Sequence, residues 1–108
     1  MSPLAREIHR MQDQSNLDKV RQLARDLRRQ EPRPAHEQLA GFPMAARTLD
    51  KCRASLLGWE GDYSFGCPMD RQFFAEAGIA AAEFKAFVAT GATDSDVETW
   101  LKDRARKF

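Results

Sequence analysis

Apolar residues return at intervals of three and four through most of the chain. Leu4, Ile8 and Met11 form a first set, and Leu17, Val20, Leu23, Ala24 and Leu27 a second. That period predicts helix, with Lys19, Arg21, Arg25, Arg28 and Arg29 around the second stripe. Ser2-Pro3 is a helix opening, because serine caps and proline at the first helical position loses no hydrogen bond. Ser15 and Asp18 are spaced as a capping pair, so residues 1–30 read either as two helices or as one. Pro32 and Pro34 end the pattern.

A second run of helix is expected from Met44 to about Leu57, where Ala45, Leu49, Cys52 and Leu56 share one narrow apolar face and Gly58 stands at the C-terminal cap. The stretch from Gly58 to Pro68 does not read as helix. Trp59, Tyr63 and Phe65 suggest a short extended segment or a β-ribbon near residues 59–66. Pro68 or Asp70 then opens a helix carrying Phe73, Phe74 and Ala77 and closed by Gly78. Ile79, Phe84, Phe87 and Val88 mark another, ending at Gly91. Thr93 and Asp96 are a capping pair for the last helix, whose buried side is Val97, Trp100 and Leu101, with Lys102, Arg104, Arg106 and Lys107 in its final turns. The expected fold is an all-α single domain over residues 1–108, a bundle of about five helices around one irregular Gly/Cys-Pro loop. Residues 1–30 are a helical extension and residues 35–108 the core.

Composition agrees with that class. Hydrophobic residues make up 43% and charged residues 31% of the chain, a globular balance in which scarce valine and isoleucine leave little for strands. The formal net charge is +1, which argues against a dedicated nucleic-acid or membrane-surface protein. Residues 1–34 carry eight Lys/Arg against five acids, and residues 35–108 carry nine against eleven. Phe84, Gly91 and Leu101 outline a helix-turn-helix, but its second helix would offer Asp94, Asp96 and Glu98 to phosphates, the wrong sign for DNA. No apolar run is long enough for a membrane span, and the N-terminus lacks the apolar stretch of a signal peptide, so a cytoplasmic location is expected. In that compartment Cys52 and Cys67 are free thiols. His9, His36, Cys52 and Cys67 have none of the paired spacings of zinc sites, and phosphate loops and nucleophile elbows are missing, so neither a metal nor a cofactor is expected.

Candidate chemistry gathers in the middle of the chain. Arg47, Asp50, Lys51 and Arg53 lie on one predicted helix, with Asp50 one turn from Arg47 and from Arg53. They read either as a ladder of intrahelical ion pairs or as a cluster in which Asp50 orients the arginines toward an anion. The helical angle of Arg53 places it beside the apolar face, against Asp70 or Asp62. Cys67 precedes a helix start, a setting that favours thiolates, although His9 and His36 both fall outside the Leu39–Arg71 stretch and offer it no nearby base. Trp59 and Tyr63, with Cys67 and Asp70, could wall a pocket over Arg47 and Lys51.

The order of these motifs resembles the bacterial domain-of-unknown-function family 5069. The matching parts are Pro32-Arg33-Pro34, Leu39-Ala40-Gly41-Phe42, the helix Arg47/Asp50-Lys51/Arg53-Ala54, the loop Tyr63/Cys67-Pro68/Asp70 and the ending Gly91–Trp100. Ala40 departs from the family pattern, which has glycine there, and Gly66 replaces an asparagine, a change that bears on any pocket at that loop. The resemblance singles out Arg47, Asp50, Lys51, Arg53, Tyr63, Cys67 and Asp70 as a set and implies no activity. The leading expectation is therefore a non-catalytic module that binds a small anion or a partner protein at the Arg47/Lys51/Asp70 face. The alternatives are a thiol-dependent enzyme or redox protein using Cys67, and a homo-oligomer assembled through the Leu17–Leu27 helix.

Overall fold

The computed structural model describes residues 3–105, with side chains from Asp13 onward. Five helices follow in order: α1 Pro3–Leu23, α2 Ala45–Leu57, α3 Pro68–Ala77, α4 Ala81–Val88 and α5 Asp94–Ala105. The all-α expectation holds, with no strand among the described residues. The cap at Ser2 and the cations Arg106 and Lys107 lie outside the described residues, as do the side chains of Leu4, Ile8 and Met11.

The N-terminal segment is a single helix, and it ends at Leu23, short of the prolines. Two contacts take the chain out of helical geometry there. The Asp26 carboxylate accepts the Arg28 backbone N–H at 3.0 Å and both ends of its guanidinium, and the Leu27 N–H donates to the Trp59 carbonyl at 3.0 Å. An aspartate bonding the backbone two residues on is a turn former that competes with helix. Val20 and Leu27 are spent on this chain's own interior, leaving Leu23 as the exposed member of the expected stripe at 37%.

α2 is the axis of the molecule. Every residue from Ala45 to Ala54 is buried except Arg47, so this helix has a core all round it where a single apolar face was expected. Leu49 and Cys52 join Phe73, Phe74, Phe84, Val88, Val97 and Leu101 in the main cluster. Phe73 and Phe84 meet edge-on, at 6.0 Å and 84°, and both rings tilt against Phe74. The helix ends as predicted at Gly58, where the Trp59 N–H returns to the Ala54 carbonyl at 2.8 Å. The helix-opening Pro68, the stop at Gly78 and the reciprocal Thr93–Asp96 cap of α5 also stand as expected.

No ribbon forms near residues 59–66. That stretch is two turns, the first closed by Tyr63 N–H on the Glu60 carbonyl at 3.0 Å. A ribbon would leave its edges unpaired, whereas the turns let the loop lie against the segment after α1. At Gly61 a Cβ would come 2.9 Å from the Leu27 carbonyl oxygen, so only glycine allows that approach.

Candidate functional site

The charged residues of α2 face inward, and they divide between two polar networks. Asp50, Lys51 and Arg53 are 2%, 4% and 3% exposed. Burying a charge is costly unless it is paired and hydrogen-bonded, and each of the three is.

The first network joins α2 to the loop and to α3. Lys51 Nζ lies 2.9 Å from Asp70 Oδ2 and donates to Cys67 Sγ at 3.3 Å. The same carboxylate accepts the Thr48 hydroxyl at 2.7 Å and the Gly66 N–H at 2.9 Å, so a fully buried aspartate is satisfied from three sides. Cys67 is the N-cap residue of α3 and remains partly exposed. Gly66, next to Cys67, has φ +91, and a Cβ there would meet nothing within 4 Å. One turn before Lys51, Arg47 sets its guanidinium 5.6 Å from the Tyr63 ring centroid. Its hydrogen bond to the Arg33 carbonyl is long, at 3.4 Å, and no described carboxylate pairs with it.

The second network joins α2 to the Pro32–Pro34 connector and to α5. Arg33 spans the Asp50 and Asp94 carboxylates, at 3.0 Å and 2.7 Å, and its own backbone N–H donates to Asp50 at 2.8 Å. Arg53 donates to Asp94 at 2.9 Å and to the Ala92 carbonyl at 2.9 Å. Burial pushes the Asp94 carboxyl up, but the hydrogen bond and charge of Arg33, with Arg53 behind it, hold it below the usual carboxylate range. Asp50 therefore orients an arginine as expected, but that arginine is Arg33 rather than Arg47 or Arg53. Arg53 turns to Asp94, not to Asp70 or Asp62.

Five of the seven expected site residues thus come together: Arg47, Lys51, Tyr63, Cys67 and Asp70. Asp50 and Arg53 belong to the second network. Trp59 leaves the expected pocket wall to lie beside Arg28, 5.8 Å from its guanidinium. Sequence reasoning missed Thr48, Arg33 and Asp94. Arg33 carried a signal, since a lone arginine between two prolines on a stiff connector is placed by its backbone. Thr48 carried none. The second thiol, Cys52, is fully buried, and burial pushes it up to about 12 against the pull of Lys85 and Arg53. No cluster of three or more metal-ligating side chains occurs among the described residues.

The arrangement defines a small all-α domain whose central helix turns its charges inward. The chain belongs to the family described as Domain of unknown function (DUF5069), which matches residues 29–107. Both networks fall almost wholly within that stretch, and α1 precedes it. No curated protein matches the chain. No described helix is long and apolar enough to cross a membrane.

Proposed function

We propose that the Arg47–Lys51–Cys67 face is the working surface and that it acts through the Cys67 thiol, in the reducing environment of the cytoplasm. The observation that carries this reading is the Lys51 ammonium 3.3 Å from Sγ, with the sulfur at the N-cap of α3. Cysteine attacks as its thiolate, and an ammonium within hydrogen-bond distance of the sulfur, at a helix N-terminus, pairs with the negative charge that passes through sulfur during attack. Lys51 supplies the cation beside the sulfur, and Asp70 fixes its position. The reaction class is thiol exchange: the Cys67 sulfur attacks a disulfide, one S–S bond forms as another breaks, and the displaced thiolate leaves.

Alkylation of the native chain by iodoacetamide, followed residue by residue, tests the reading. Cys67 is expected to react faster than a model thiol at neutral pH and to slow in Lys51→Met, with buried Cys52 as an internal control. A Cys67 no faster than the model thiol would remove the proposal.

Non-catalytic capture of a small anion or an acidic partner is the second reading, favoured by Arg47 alone. It is the cation of this face without a carboxylate, and it rests on an aromatic ring. Under this reading Arg47→Glu abolishes capture while Cys67→Ser leaves it intact.

A further inference from the structure

The second network borders a cleft of about 370 Å3 between α2, the connector and the start of α5. Its walls include Arg25, Arg33, Asp50, Arg53, Asp94 and Ser95. Three guanidinium groups and two carboxylates line it, and Glu37, outside the lining, approaches Arg33 at 3.7 Å, so the charges nearly balance and the positive field is small. The N-terminus of the twelve-residue α5 adds to it.

Donors remain unused around this space. Arg53 is 3% exposed, and its Nε–H meets no acceptor. The exposed Ser95 hydroxyl bonds no other described residue, because the α5 cap is made by Thr93 and Asp96. The backbone N–H groups of Asp94 and Ser95, in the first turn, lack an intrahelical acceptor, as first-turn groups do. Arg25, with a side chain 42% exposed, is held only by a 3.8 Å approach to Asp50 and a 3.2 Å bond to the Glu31 carbonyl.

We infer that this cleft binds a small anion, a carboxylate or a phosphate monoester. Ser95 and the first turn of α5 donate to it, and Arg25 closes over it. The Arg33 and Arg53 guanidiniums are fixed in advance by Asp50 and Asp94, so the ligand meets an ordered positive wall and little ordering entropy is lost on binding. Asp94 is the opposing charge, and its two arginine partners screen it from the ligand. The site is separate from Cys67, so it stands or falls independently of the thiol reading.

The test is an amide NMR titration of the full chain with inorganic phosphate at constant ionic strength. Saturable shifts are expected at Asp94 and Ser95. Arg25→Gln is expected to weaken binding about tenfold or more, the loss of one charge-assisted contact, while Arg47→Gln and Cys67→Ser bind as the parent does. Because Arg25 is half exposed, its variant folds, and a phosphate-induced rise in melting temperature that it loses gives a second readout. Absence of saturation would overturn the inference. So would equal affinity in Arg25→Gln, or a shift map centred on Arg47 and Tyr63.

Discussion

Lys51 Nζ and Asp70 Oδ2 lie 2.9 Å apart, with their side chains 5% and 0% exposed, and this pair fastens the loop before α3 to the central helix. Removing one partner of a buried pair strands the other charge. Lys51→Met is therefore expected to cost about 3–5 kcal/mol in urea unfolding. In a double-mutant cycle with Asp70→Asn the coupling should be about 1 kcal/mol or more, and strict additivity would show that the contact contributes nothing.

Asp94 predicts an acid-sensitive component of stability. Its folded value lies below the ordinary 3.8, so the stabilisation is fully present above that value and is lost as pH falls through the lower folded one. Asp94→Asn should be less stable than the parent at neutral pH and should show a shallower loss in the acid range. Parallel acid curves for the two proteins would contradict the assignment.

Ala40 holds a left-handed conformation, φ +56, a region that favours glycine. A Cβ there costs roughly 1–2 kcal/mol against glycine. Ala40→Gly is accordingly expected to raise stability by about 1 kcal/mol, net of the unfolded-state entropy that glycine adds, measured by thermal or urea denaturation.

Gly91 predicts the opposite sign. Its φ is +89, and an added Cβ would come 2.6 Å from the Lys19 Cβ of α1. Gly91→Ala should destabilise by at least about 1 kcal/mol and push α1 off the loop between α4 and α5. Hydrogen exchange should then quicken around Val20 more than at Leu49. Uniform quickening would mean that the strain spreads through the whole core.

The thiols supply a final contrast. Cys52 is fully buried and pushed up to about 12, so it is expected to stay unmodified until the chain unfolds. Counting thiols that react before and after denaturant checks this, and early modification of Cys52 would show that α2 opens locally.

The sequence by itself determined the helices and most of their ends, because periodicity, proline openings, the Thr93–Asp96 cap and the Gly58 and Gly78 stops all act within a turn or two of chain. It also brought out five residues that meet at one face. It could not assign the partners of the buried charges. Asp50 has Arg47 and Arg53 within helical reach, yet it bonds Arg33 from 17 residues away, and Arg53 bonds Asp94 from 41 residues away. Intrahelical pairs contribute only a few tenths of a kcal/mol, whereas a charge enclosed by packing must find a close donor or acceptor wherever the fold brings one. The early end of α1 has the same origin, since the Leu27 N–H is claimed by the Trp59 carbonyl across the fold. Local propensity set the elements, and burial of α2 on every side decided which charges had to meet.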